Sequence, residues 1–288
     1  MAGISASDVK ALRDSTGAGM MDCKRALGDA DGDVEKAMEM LRERGLAKAG
    51  KRAGRDTSEG AVMFVADGGK GALIELGCET DFVAKTPDFQ ALAKSILDVV
   101  AAEEATDAEA ALKLKMDGGT IEEVVQASVA KMGENIQLKR VASVNVTGQT
   151  GGYVHGTGKL GVLVALDTTA SGDAVAAVAR DIAMHVAAHD PTPIAVDKDG
   201  VDADVVEKER AFLTKQALES GKPENVVEKM VDGRINKFFS ENCLVAQGFV
   251  KDPDKKVQDV LKEAGQAAGG EIKVASFHRF SLGESASE

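Results

Sequence analysis

Tryptophan is absent from the 288-residue sequence, tyrosine occurs once, and the other aromatic residues are nine phenylalanines. So sparse a set leaves almost no platform on which single-stranded bases would stack. Positive charge is also in deficit, with 35 Lys and Arg against 47 Asp and Glu and a formal net charge of −12. Nucleic-acid binders draw much of their affinity from cations on phosphates, so this balance argues against direct DNA or RNA binding. The three cysteines, Cys23, Cys78 and Cys243, are odd in number and far apart. Neither a disulfide framework nor a C-x-x-C metal pair can be assembled from them. No stretch approaches the roughly 18 apolar residues of a membrane span, the longest run being Gly161 to Leu166. Met1-Ala2-Gly3-Ile4-Ser5 lacks the basic-then-apolar layout of a secretory signal, and the expected location is the cytoplasm. What remains is an ordinary folded composition, 44% hydrophobic and 28% charged, at a length that allows two domains.

The first forty residues read as helical. Ser5-Ala6-Ser7-Asp8 has the form of a capping box ahead of a helix whose apolar face carries Val9 and Leu12. Thr16-Gly17-Ala18-Gly19 breaks that helix. Asp22 is positioned to cap a second helix, carrying Cys23, Ala26 and Leu27. Asp33 would cap a third, where Val34, Ala37, Met38 and Leu41 sit at i, i+3, i+4 and i+7. Met20 and Met21, in the tight turn after Gly19, admit two readings: core packing, or an adaptable thioether surface for a partner. From Leu46 to Asp56 the apolar stripe fades among Lys48, Lys51, Arg52 and Arg55, which reads as a basic, solvated linker.

From Gly60 the pattern turns to strand. Val62-Met63-Phe64-Val65 and Ala72-Leu73-Ile74-Glu75-Leu76 flank Asp67-Gly68-Gly69, a hairpin signal. Pro87 opens a long helix with Phe89, Leu92, Ala93, Ile96 and Leu97 on one side. Thr120-Ile121-Glu122-Glu123 caps another that runs to Met132, and Ile136 to Val141 returns as a strand. The chain then repeats itself. Gly69-Lys70-Gly71-Ala72-Leu73-Ile74-Glu75-Leu76 has a counterpart in Gly158 to Leu166, and Leu138-Lys139-Arg140-Val141-Ala142-Ser143 is echoed by Ile272-Lys273-Val274-Ala275-Ser276. A helix from Asp173 to His189 follows the second hairpin. Val201 to Gly221 and Glu224 to Asn242, separated by Lys222-Pro223, must then be antiparallel helical neighbours. Val205, Phe212, Leu213, Ala217 and Leu218 are expected to face Val226, Val227, Met230, Ile235 and Phe238. The fold class is α+β: a helical domain with basic linker over 1–56, a first core unit over 57–148, and a second over 149–288. The helical hairpin is inserted at about 201–242.

Candidate chemistry mostly fails on context. Gly156-Thr157-Gly158-Lys159-Leu160-Gly161 satisfies G-x-G-x-x-G, but those glycines precede a strand within a hairpin and open no helix, so no dinucleotide site follows. His185 and His189 are one turn apart, yet Val186-Ala187-Ala188 supplies no general-base Glu; His185 is expected to be a packed structural residue. No catalytic residue, cofactor or metal site is expected. Cys78-Glu79-Thr80-Asp81-Phe82-Val83-Ala84-Lys85 differs, because a Phe and a Val stand in a loop directly after a strand. Phe82 either tucks under its own hairpin or protrudes as a wedge.

Leu12-Arg13, Thr16-Gly17-Ala18-Gly19-Met20-Met21-Asp22-Cys23-Lys24 and Glu79-Thr80-Asp81-Phe82-Val83-Ala84 resemble the elongation factor Ts family. The resemblance continues in order through Tyr153-Val154-His155-Gly156, Met184-His185-Val186-Ala187-Ala188, Gly221-Lys222-Pro223 and Glu228-Lys229-Met230-Val231-Asp232-Gly233-Arg234. It implies a ubiquitin-associated-like helical domain, a duplicated α+β core and a coiled-coil hairpin. It also implies a partner, the GTPase elongation factor Tu, on which the chain would promote GDP release and GTP rebinding without catalytic residues of its own. By that resemblance Thr80, Asp81, Phe82 and Val83 disturb the partner's Mg²⁺ site, with Phe82 entering a pocket between two partner helices. His155 would intrude on the same partner, Leu12, Met20 and Met21 would form the N-terminal contact surface, and Val250 would touch another partner domain. No nucleic acid or membrane is implied, and a dimer of heterodimers is admitted. Longer members carry a further C-terminal helix; the sequence ends at Glu288, so the resemblance does not extend to it. Two rival classes give different expectations: an adaptor module leaves nucleotide kinetics untouched, and a dehydrogenase binds NADH.

Overall fold

The computed structural model describes residues 4–219 and 223–284. Helix α1 (Ala6–Thr16) begins with the expected reciprocal cap, Ser5 Oγ accepting the Asp8 N–H at 3.1 Å while the Asp8 carboxylate accepts the Ser5 N–H at 3.1 Å. Helix α2 (Met20–Asp29) starts one turn earlier than expected: Gly19 is its N-cap and Asp22 lies inside its first turn. Met20 and Met21 are therefore the opening residues of a helix and not part of a turn. Asp33 does cap α3 (Val34–Arg52), accepting the Lys36 N–H at 3.0 Å. Val9, Leu12, Cys23, Ala26, Leu27, Ala37 and Leu41 close a small core between the three helices. Val34 and Met38, expected to join it, are exposed.

The basic linker is not a linker over most of its length. Helix α3 continues through it to Arg52, because alanine, lysine and arginine are good helix formers and need no apolar stripe to propagate. The side chains of Leu46 and Lys48 lie outside the described residues.

The first core unit comprises β1 (Glu59–Asp67), β2 (Lys70–Cys78), the single turn α4 (Asp81–Ala84), α5 (Pro87–Glu103) and α6 (Ala108–Leu112). A short ribbon, β3 (Lys115–Met116) with β4 (Gly119–Thr120), then leads into α7 (Ile121–Met132) and β5 (Ile136–Asn145). Gly68, at φ +53°, supplies the left-handed residue that the two-residue β1–β2 turn requires. The second unit has β6 (Gly148–His155), β7 (Leu160–Thr168), α8 (Asp173–Ala188), α9 (Ala203–Leu218) and α10 (Glu224–Asn242). It closes with the ribbon β8 (Gly248–Phe249) and β9 (Asp252–Lys256), then α11 (Val257–Ala268) and β10 (Ile272–Ser281). Each unit makes an antiparallel three-stranded sheet, in the orders β1-β2-β5 and β6-β7-β10.

The duplicated motif occupies the central strand of both sheets, β2 and β7. Those strands are buried on both faces, which explains their near-continuous apolar sequence. One face of each sheet meets the other sheet through Val62, Leu73, Ala142, Val144, Leu163, Ala165 and Phe280. The outer faces carry α5 and α7 on one side and α8 and α11 on the other. A polar clip joins the sheets: Arg140 Nε donates to Glu75 Oε2 at 2.5 Å and Nη2 to the Ser281 carbonyl at 2.7 Å. The Arg140 guanidinium also lies 4.5 Å over the Phe280 ring.

Helix α3 packs on α7 and ties the helical bundle to the first unit. Gly45 permits the approach, since a Cβ there would stand 3.0 Å from Ala130 Cβ. In the inserted hairpin, Leu213 and Ala217 pack on Val227, Val231 and Ile235, with Phe239 partly buried beside them. The expected register is corrected: Val205, Phe212, Leu218 and Val226 are exposed, and Val231 and Phe239 take the places assigned to Met230 and Phe238. Gly221 and Lys222 of the connecting turn lie outside the described residues.

Candidate functional site

Thr80, Asp81, Phe82 and Val83 lie between the buried end of β2 and the N-cap of α5. The expected loop is one helical turn with Thr80 as N-cap. Its backbone is held on both sides. The Thr80 N–H donates to Glu134 Oε2 at 3.0 Å and the Thr80 hydroxyl to Glu134 Oε1 at 2.6 Å. At the other end, the Thr86 hydroxyl donates to the Val83 carbonyl at 2.8 Å, and Gln90 Nε2 to the Ala84 carbonyl at 2.6 Å. Val83 packs against the core of the first unit, and Ala84 is buried in it.

Phe82 is the exception, with 80% of its surface exposed. The reading in which it tucks under its own hairpin is thereby excluded for the free chain. Asp81 pairs with Lys85 at 2.5 Å, and the hydrogen bond from that ammonium holds its carboxyl below the usual carboxylate range. Burial pushes the Cys78 thiol up to about 11, so it stays protonated and donates to the Thr80 carbonyl at 3.2 Å.

The β6–β7 turn of the second unit comes close to this tip. The Val62 N–H donates to the Gly158 carbonyl at 2.8 Å, and Lys159 pairs with Glu59 at 2.8 Å. Lys159 also contributes to the low position of the Asp81 carboxyl, as expected for an ammonium nearby. His155 is exposed at the end of β6, with its Nδ1 2.9 Å from the Tyr153 hydroxyl. The two units therefore present Phe82 and His155 from neighbouring ends of β2 and β6.

Met20 and Met21 are 54% and 67% exposed on the first turn of α2, away from the bundle core. Leu12, grouped with them by resemblance, is corrected: it is 1% exposed and belongs to the bundle core, not to the exposed face that Met20 and Met21 present. Val250 is exposed in the turn between β8 and β9, and its N–H donates to His185 Nδ1 at 3.1 Å. Nε2 of the same ring lies 3.0 Å from Gln247 Oε1, and burial lowers the histidine pKa. His185 is the packed residue expected, buried with one ring nitrogen accepting a backbone N–H and the other facing an amide oxygen. Among the described residues no group of three or more His, Cys, Asp or Glu could hold a metal ion. The glycine-rich segment 156–161 spans the β6–β7 turn and opens no helix.

Sequence reasoning missed Glu79, Glu134 and Asn135. The Asn135 N–H donates to Glu79 Oε1 at 2.7 Å, which lowers the Glu79 pKa, and Arg55 reaches the same carboxylate at 3.2 Å. Glu134 and Asn135 meet Thr80 and Glu79 across more than fifty residues of sequence, and Arg55 meets Glu79 across 24, beyond any local periodicity.

With this geometry in view, the comparisons with known proteins are specific. The sequence model of the family described as Elongation factor TS matches residues 79–284, beginning at the tip. The Elongation factor Ts of Sphingopyxis alaskensis is 47% identical over 291 residues, covering 99% of this chain and 94% of that protein. The Elongation factor Ts of Clostridioides difficile is 45% identical over 287 residues, with 99% and 94% covered. That of Syntrophotalea carbinolica is 45% identical over 285 residues, with 98% and 93% covered. The exposed Phe82 tip and the methionine-headed helix thus belong to a chain that is, over almost its whole length, a member of the elongation factor Ts family of translation elongation factors.

Proposed function

We propose that the chain is a guanine-nucleotide exchange factor for elongation factor Tu, and that the Thr80–Val83 turn disturbs the Mg²⁺ site of that GTPase. The observation that carries the reading is a large apolar side chain, 80% exposed, on a turn whose backbone is anchored at both ends. A Phe held outward at an ordering cost already met by the fold is suited to be an interface anchor. In the free chain its exposure has no stabilising role.

The mechanism is linkage. A factor that binds nucleotide-free partner more tightly than nucleotide-bound partner weakens nucleotide binding by the same factor. A Mg²⁺ ion in the partner's nucleotide site would offset phosphate charge, so disturbing that site would remove much of the nucleotide affinity. Phe82 supplies favourable burial, and Asp81 supplies the polar rearrangement beside it. His155 adds a second intrusion, Met20 and Met21 grip the nucleotide-binding domain from α2, and Val250 reaches a further partner domain. GTP then rebinds and releases the factor by the same linkage. No bond in any substrate is made or broken by this chain's side chains.

The test is release of fluorescent GDP from elongation factor Tu with and without the chain. The expected result is a release rate that rises with chain concentration and saturates; a rate independent of the chain refutes the proposal. A nucleotide-independent adaptor would give the second result.

A further inference from the structure

A helix of four residues has no stability of its own, because nucleation fixes several dihedrals for a single hydrogen bond. The Thr80 cap on it is long, with the Val83 N–H 3.4 Å from Oγ1. Something else must hold the turn that projects Phe82. The segment joining α7 to β5 lies against it and exchanges hydrogen bonds with it in both directions. Glu134 takes both donors of Thr80, at 3.0 Å and 2.6 Å, while Glu79 takes the backbone N–H of Asn135 at 2.7 Å. Two carboxylates, one from each segment, thus bind across the gap in opposite senses, and hydrogen bonds to ionised acceptors are roughly twice as strong as neutral ones.

The grip extends beyond the tip. Asn135, 3% exposed, donates its side-chain amide to the carbonyl of Arg55 at 2.8 Å and to that of Ala53 at 3.4 Å. Gln137 Nε2 donates to the same Ala53 carbonyl at 3.0 Å. Arg55 closes the circuit on Glu79 at 3.2 Å. The segment that leaves the N-terminal helical domain is therefore bonded to Asn135, next in sequence to Glu134, and to Glu79, next in sequence to Thr80.

We propose that Glu134, with Asn135 beside it, is a positioning residue for the Thr80–Val83 turn. Its carboxylate fixes the amide and hydroxyl of Thr80 and so sets the direction in which Phe82 projects. Asn135 ties that setting to the end of the N-terminal domain. The inference rests on the exchange reading above for its consequence, but the clamp itself is a property of the free chain.

Two measurements separate them. Amide hydrogen exchange on free Glu134→Ala and Glu134→Gln chains reads the clamp directly. Glu134→Gln keeps the shape and one acceptor oxygen, so it preserves the fold if Glu134→Ala does not. Exchange at residues 80–85 is expected to accelerate about tenfold or more in Glu134→Ala and less in Glu134→Gln, with β2 and α5 unchanged. GDP release read against chain concentration gives the second result. The maximal rate should fall about tenfold while the half-saturating concentration stays within about twofold, because the methionine and Val250 contacts persist. Unchanged exchange at 80–85 in both variants overturns the clamp. Accelerated exchange with an unchanged maximal rate overturns the positioning role. Failure of the unsubstituted chain to stimulate release refutes the exchange reading, and the hydrogen-exchange result on the free chain still decides the clamp.

Discussion

Replacing Phe82 with alanine should separate the stability of this chain from its action on a partner. With 80% of the residue exposed, about one-fifth of its surface is buried within the chain. Full burial of a Phe side chain is worth about 1.5–3 kcal/mol, so the free fold should lose only about 0.3–0.6 kcal/mol. Alanine also has the higher helix propensity, which offsets part of that loss in α4. For a chain of this size the melting temperature should fall by about 1–2 °C. If docking buries the remaining four-fifths, the complex loses about 1.2–2.4 kcal/mol. Expressed in the transition state for GDP release, that is roughly 7- to 50-fold at about 1.4 kcal/mol per tenfold. Stopped-flow release of labelled GDP, paired with thermal denaturation of the free chain, measures both quantities. Unchanged release with a small melting shift would remove Phe82 from the mechanism. A melting loss above about 5 °C would show that the residue serves the fold, contrary to its exposure.

Three further outcomes follow from named contacts. Arg140→Met leaves Glu75, 1% exposed, buried without its partner, and should cost about 3–5 kcal/mol in urea denaturation; a loss below about 1 kcal/mol would show that the inter-sheet clip is replaceable. Met20→Lys with Met21→Lys should leave stability within about 0.5 kcal/mol, since both residues are exposed, and raise the half-saturating concentration for GDP release about tenfold. An unchanged concentration dependence would take α2 out of the contact. His185 and His278 both have pKa values lowered by burial, so the unfolded chain takes up protons below about 6.5 before the folded chain does. Stability conferred by the neutral rings is complete above that pH and is lost as pH falls, so the urea midpoint should be lower at pH 5.5 than at pH 7.5. Protonating His185 also removes the acceptor that holds the Val250 N–H. A midpoint that is constant or higher at pH 5.5 contradicts this assignment.

Much of the fold is legible in local sequence because the governing interactions are local. The caps at Ser5, Asp33 and Thr120 act within three residues, and the Gly68-Gly69 turn sets its own hairpin. Duplication is also visible, because both central strands must be apolar on two faces. Three misreadings have other causes. The segment after Leu46 loses its apolar stripe yet stays helical on intrinsic propensity, and the α7 on which the helix packs lies about 80 residues further on. Adjacent apolar pairs such as Phe212-Leu213 and Phe238-Phe239 satisfy two registers equally, and only the facing helix selects Leu213 and Phe239. The four-residue α4 is too short to show a period.

The candidate site divides the same way. Phe82 stands out as an apolar residue in a polar segment, and the role proposed for it rests on the family resemblance. The residues that aim it, Glu134 and Asn135, carry no local signal because their role is created by a contact across 54 residues. Leu12 shows the converse, since membership in a motif does not place a side chain at the surface.

The central claim is that the tip acts by displacing a metal-held nucleotide, and the Mg²⁺ dependence of stimulated GDP release tests it most directly. Release from elongation factor Tu should be followed at saturating chain in millimolar Mg²⁺ and again with the metal chelated. The account predicts a large acceleration with Mg²⁺ present and a much smaller one after chelation, because the metal contribution has already been removed. An equal acceleration in both conditions would contradict it.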